Sequence, residues 1–108
     1  MTVTEPAARF VVIYDEPSDP EAFERHYNDV HVPLAKQYPG LRRYTRSNNP
    51  TAVIGDPCYL VVMLDWDKMA ALRSALASDI GRRTAADATE NLARYTTFRA
   101  LILPLDAA

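Results

Sequence analysis

Cysteine is nearly absent from the 108-residue chain, where Cys58 stands alone. One thiol can neither close an internal disulfide nor build a cysteine zinc cluster, so nothing in the composition calls for an oxidising compartment. Glycine is scarce too, at three residues, and no glycine-rich phosphate loop, nucleophile elbow or Ser/His/Asp arrangement is visible. Positive charge is not in excess: 12 basic side chains face 14 acidic ones, and a nucleic-acid binder needs a basic face. No apolar run approaches the roughly 18 residues of a membrane helix. The start MTVTEPAARF lacks the charged-then-apolar pattern of a signal peptide. A cytoplasmic protein, with neither membrane nor nucleic acid as partner, is the expectation.

The chain does have apolar content, 48% with a net charge of -2, which disfavours disorder. Its length fits one domain with one core. Residues 1–8 read as a loose leader, 9–104 as the folded unit and 105–108 as a tail. Residues 9–15 (RFVVIYD) are rich in β-branched and aromatic side chains and predict a first strand. Ser18 or Asp19 can cap the helix that follows, with Pro20 in its first turn. Phe23, Tyr27, Val30, Leu34 and Tyr38 recur at helical steps, and Pro33 should bend or interrupt that helix. Residues 41–47 and 58–66 predict strands two and three, separated by a turn-rich loop. Helical patterns cover Met69 to Leu76 and about 80–94, with a soft break at Ser78, Asp79 and Gly81. Residues 96–103 (TTFRALIL) predict a fourth strand, closed by Pro104.

That order is β-α-β-β-α-β, the signature of an α+β ferredoxin-like sandwich with a four-stranded antiparallel sheet and its helices on one face. The opposite sheet face is left open. Strand three is nevertheless apolar on both faces, with Leu60, Val62 and Leu64 on one and Tyr59, Val61 and Met63 on the other. Strands of that kind are buried on both sides. A second copy is the simplest cover, turning two open sheets into one barrel, so a homodimer is expected.

The densest chemistry lies in residues 23–35. Tyr27 and His31 are four apart and share a helix face, the inward one with Phe23 and Leu34. A phenol and an imidazole pointing together into apolar space make a proton-transfer pair, because imidazole titrates near neutrality. The plainer alternative is a core-edge His31 bonded to the carbonyl that Pro33 frees. His26 lies roughly 140° around a regular helix from His31 and reads as solvated. No histidine–carboxylate spacing calls for a protein-held metal. Tyr44 points either to the helices, joining Tyr27 and His31, or to the partner copy. Arg42 or Arg43 can hold an anionic ligand or simply form exposed salt bridges. Asp87 and Asn91, four apart, can line a pocket mouth, orient His31 or stand in solvent. Cys58, Met63 and Trp66 read as core.

The segment F-x-x-x-Y-x-x-x-H-V-P-L-A (residues 23–35) followed by P-G-L-R-R-Y (39–44) resembles the EthD family, small proteins of the dimeric α+β barrel superfamily. The resemblance continues through Ala75-Leu76-Ala77-Ser78 and Gly81 to Ala85-Ala86-Asp87, and spans residues 9–104. Ser78-Asp79-Ile80-Gly81 stands where a Ser-Pro-Glu-Gly cap is common, a departure confined to a turn. It implies the ferredoxin-like fold, the homodimer and a cavity between helices and sheet, lined by His31 and Tyr27 with Asp87 near its entrance.

The functional expectation is an enzyme without a tightly bound cofactor, acting on a small aromatic, polyketide or lactone ligand. His31 and Tyr27 would be the catalytic residues, and Tyr44, Arg43, Asp87 and Phe23 would contact the substrate. Isomerisation, dehydration, cyclisation and oxygenation all fit that equipment. Two other readings stand beside it: an oxidoreductase using borrowed haem or flavin, and a non-catalytic ligand-binding accessory protein.

Overall fold

The structure is a computed structural model that describes residues 7–106. Four strands, β1 (Ala7–Tyr14), β2 (Arg43–Asn48), β3 (Leu60–Trp66) and β4 (Phe98–Leu105), form one antiparallel sheet in the order β2-β3-β1-β4. Helices α1 (Pro20–His26) and α2 (Val32–Ala35) flank a π-helical turn (Tyr27–His31), while α3 (Met69–Ala77) and α4 (Asp79–Glu90) make the second crossover. This is the expected ferredoxin-like sandwich. Among the described residues no helix is long and apolar enough to cross a membrane.

Strand alternation assigns the faces. Ala8, Val12, Tyr14, Leu60, Val62, Leu64 and Trp66 are buried beneath the helices. The intervening residues form rows on the open face: Leu101, Val11, Met63 and Thr45 side by side, then Arg99, Ile13, Val61 and Ser47. Met63 therefore belongs to this half-exposed face rather than to the core beneath the helices. A third row, Leu103, Arg9, Asp65 and Arg43, carries an ion pair, Arg9 Nε to Asp65 Oδ1 at 2.7 Å.

The strand ends differ from the expectation: β2 and β3 begin two residues later, at Arg43 and Leu60, which leaves Cys58 ahead of the strand and half-buried rather than in the core. β1 begins at Ala7, inside the expected leader, while residues 1–6 lie outside the described ones. β4 runs through Pro104 to Leu105. It is an edge strand, and there a proline with no N–H can be accommodated because one side of the strand has no neighbour.

Local capping follows the sequence. Asp19 Oδ1 accepts from the Ala22 N–H at 3.1 Å, with Pro20 behind it. Ser78 serves both helices of the second crossover: its hydroxyl donates to the Ala75 carbonyl at 2.6 Å and accepts from the Gly81 N–H at 3.1 Å. Gly81 is buried at that junction, and a Cβ there would stand 2.3 Å from the carbonyl oxygens of both Ala75 and Leu76. Those atoms are backbone and cannot swing away. Gly81→Ala should therefore destabilise the fold by about 2–3 kcal/mol, the scale of an overpacked core, read as a lower urea midpoint.

Candidate active site

The site grows out of the interrupted first helix. Pro33 has no N–H to return to the Asp29 carbonyl, and the turn before it widens: the Val32 N–H bonds five residues back, to the Tyr27 carbonyl. A wide turn places residues five apart near one another. His26 and His31 consequently reach the same side chain, Asp87 of α4. His31 Nδ1 lies 2.8 Å from Asp87 Oδ2, and His26 Nε2 lies 2.7 Å from Asp87 Oδ1. Asn91 Nδ2 donates to Asp87 Oδ1 at 2.8 Å.

Both alternatives for His31 and its neighbours are thereby decided by geometry. His31 is not held by a freed backbone carbonyl, since a carboxylate reaches it first. His26 is not merely solvated, because the helix that carries it is not regular between the two histidines. Asp87 is buried at 6% exposure and orients His31. No group of three or more His, Cys, Asp or Glu side chains among the described residues is arranged to hold a metal ion.

With Nδ1 engaged by Asp87, the other ring nitrogen of His31 is the one left for the cavity its ring lines. That cavity, about 310 Å³, lies between α4 and the β1–β4 side of the sheet. Its wall is mostly apolar, including Phe10, Val12, Leu76, Ala88 and Phe98, with Tyr14, Tyr38, Thr84 and Thr89 as the other polar side chains. A narrow crevice of about 20 Å³ shares His31, Tyr38 and Thr84 with it and reaches Tyr27 and Tyr44.

Tyr44 faces the helices, and its hydroxyl is hydrogen-bonded to that of Tyr27, either being able to donate. Tyr27 stacks on His31 with ring centroids 5.3 Å apart, and Phe23 stacks on Tyr27 at 5.5 Å. The Arg46 guanidinium sits 4.9 Å above the Tyr27 ring and bonds both oxygens of Glu24 at 3.2 Å. Tyr59 donates to the same Glu24 at 2.9 Å.

Of the expected site residues, His31, Tyr27, Tyr44 and Asp87 converge. Phe23 is fully buried behind Tyr27 and lines neither cavity nor crevice. Arg43 is exposed on the open face, across from Asp65. Once Tyr44 points inward, strand alternation sends Arg43 outward, so it is not placed to contact a ligand in this cavity. Arg46 has the same parity as Tyr44, but its guanidinium is engaged by Glu24 and the Tyr27 ring and lines neither cavity nor crevice. Tyr14 and Tyr38, legible only as apolar-face residues, also line the cavity.

Electrostatics separate the groups. Burial pushes the His31 imidazole below its ordinary value near 6.5, and the Asp87 carboxylate opposes that only in part. Burial also pushes the Asp87 carboxyl up, but the bonds from Asn91, His26 and His31 outweigh it and hold the group below the usual carboxylate range. Burial drives Tyr27 and Tyr14 far above the ordinary phenol range, and Tyr44 upward too. His31 is therefore held toward its neutral form, with one ring nitrogen free to take a proton, while Tyr27 and Tyr44 stay protonated.

Both shifts have the same sign in stability. An unfolded chain binds protons at His31 and Asp87 before the folded one does, so stability is full above about pH 6.5 and declines as pH falls, first through His31 and then below pH 4 through Asp87. Urea midpoints measured from pH 8 to 3 should trace that descent, at up to about 1.4 kcal/mol per pH unit per group. His31→Gln should flatten its first step.

The EthD domain model matches residues 15–94. The chain is 35% identical over 81 residues to the uncharacterized 11.0 kDa protein in the thcB-thcC intergenic region of Rhodococcus erythropolis, covering 73% of this chain and 78% of that one. It belongs to the EthD family. Among solved structures, an ethyl tert-butyl ether D (EthD) family protein of Bacillus halodurans superposes with a TM-score of 0.76 at 26% identity, over 88% of this chain and 96% of that one. SnoaB, a cofactor-independent oxygenase of Streptomyces nogalater, has a TM-score of 0.63 at 19% identity, over 95% and 96% of the two chains. At that identity the likeness is one of fold.

Proposed function

We propose that the protein is an enzyme of acid–base chemistry on a small, uncharged cyclic or aromatic molecule, working without a tightly bound cofactor. The observation that carries this is a neutral imidazole, fixed by Asp87, facing a mostly apolar cavity beside two phenolic donors. No lysine or arginine lines that cavity among the described residues, so it suits a phenol, polyketide-like aromatic or lactone better than a carboxylate. Its volume falls at the lower end of small-molecule sites.

In this mechanism His31 removes a proton from an acidic C–H or O–H of the ligand. The oxygen that gains negative charge accepts a hydrogen bond from the Tyr27–Tyr44 pair, which stabilises it most as the charge develops. Returning the proton to another carbon gives isomerisation, and giving it to a departing hydroxyl gives dehydration. Attack of the carbanion on a carbonyl gives cyclisation, while reaction of an electron-rich phenolate with dioxygen gives oxygenation. The fold shared with SnoaB supports the last as a member of this set.

The test is a thermal-shift screen of wild type and His31→Gln against phenols, polyketide-like aromatics, lactones, haem and flavins. Stabilisation by one organic class, weakened in the variant, supports the reading and names the substrate to assay. Equal shifts in both proteins would remove His31 from the site, and a response to haem or flavin alone would replace acid–base chemistry with cofactor chemistry.

The active form in this reading is a homodimer joined through the open sheet face. Val11, Ile13, Val61, Met63 and Leu101 form a continuous apolar surface there, with Leu101 45% exposed in the single chain. Light scattering at micromolar concentration should give twice the chain mass; a monomer would overturn the assembly.

A further inference from the structure

Asp87 is bonded by two imidazoles with very different surroundings. The side chain of His31 is 9% exposed and lines the cavity, whereas that of His26 is 25% exposed. The carboxylate between them has one oxygen for each ring, at 2.8 and 2.7 Å. One negative charge can neutralise one imidazolium, and a second proton on this cluster meets a cation with no counter-charge left. The more exposed ring is the one that water helps to hold charged.

We propose that His26 is a positioning residue for His31: through the shared Asp87 it holds the cluster's proton on the solvent side and leaves the cavity-facing ring free to act as a base. The other groups around the cluster do not supply this control. Tyr27 of the same turn, Tyr14 of β1, Tyr38 beyond α2 and Tyr44 of β2 are buried phenols that stay neutral. Arg46 of β2 lies over the far ring of Tyr27, with its charge matched by Glu24. His26 and His31 are the two titrating groups that meet at one carboxylate, and such a pair exchanges protons as a unit rather than as two sites.

The chain has 2 histidines, so imidazole NMR resonances can be assigned from single variants and followed from pH 8 to 4. In wild type the His31 resonance should register two protonation steps, the mark of a coupled pair. In His26→Gln, which retains an amide donor toward Asp87, the His31 midpoint should rise by about one pH unit, that is about tenfold tighter proton binding. Two independent single-step curves in wild type, or an unmoved His31 midpoint in the folded variant, would overturn the proposal. The wild-type curves decide the matter if the variant does not fold. The catalytic meaning of this control rests on the acid–base reading, yet the titration needs no substrate, so a failed ligand screen and a failed coupling are separate results. With a substrate in hand, the acid limb of kcat/KM should move with the His31 midpoint.

Discussion

His31→Gln is expected to fold, to bind ligand and to turn it over about 10²–10⁴-fold more slowly, the contribution of a positioned general base. Asp87 keeps its bonds from His26 and Asn91, so the carboxylate stays satisfied and the helices stay packed. What glutamine lacks is a nitrogen able to take a proton. The loss corresponds to about 3–5 kcal/mol of transition-state stabilisation, and it should fall on kcat with little change in KM, because apolar contacts from Phe10, Leu76 and Phe98 do not depend on the ring. Steady-state kinetics on the substrate class named by the ligand screen would measure it. Full turnover in the variant would take His31 out of the chemistry and leave it as a packing residue.

The second large effect is on stability. Asp87→Ala removes the acceptor of three donors, His31 Nδ1, His26 Nε2 and Asn91 Nδ2. A buried donor left without a partner costs about 1–3 kcal/mol. His31 is buried and bears this cost in full, while His26, at a quarter exposed, can turn to water. A total near 3 kcal/mol follows, lowering Tm by roughly 10–20 °C for a domain of this size. Asp87→Asn should lose less, since one amide oxygen still accepts, although its NH₂ faces another donor. Thermal unfolding of the two variants above pH 7, where the His31 ring is neutral, would separate the contributions. Equal and small losses for both would mean that the cluster is wetter than its geometry shows.

The order of helices and strands was legible because it is a property of local pattern: β3 is a run of β-branched and apolar residues, Phe23 and Tyr27 stand a helical step apart, and Asp19-Pro20 marks a helix start. His31, Tyr27 and Tyr44 were legible as candidates for the same reason. What escaped was everything that depended on a departure from the regular period. His26 was out of reach on a 3.6-residue helix, and only the Pro33 interruption hinted that the helix was not one. Arg43 misled because the facing of β2 is set by tertiary packing, and once Tyr44 points inward Arg43 points out. Pro104 misled as a strand end because its meaning depends on whether the strand lies at an edge, a property of the sheet rather than of the segment. The partnership of Asp87 with both histidines joins residues 56 and 61 positions apart, a separation at which pattern is silent.

The widened turn between Tyr27 and His31 also changes how relatives of this chain must be aligned. On an unbroken helix, two imidazoles that meet one carboxylate stand three or four residues apart; here they stand five apart, at His26 and His31. A relative with an ordinary α-turn in this arm would hold the same pair with one fewer intervening residue, and the two would superpose atom for atom while their sequences slipped out of register by one. A one-residue gap in this arm of a relative would then mark a change of turn type. The spacing of the second histidine, anchored on the His-Val-Pro step, tells the two kinds of arm apart.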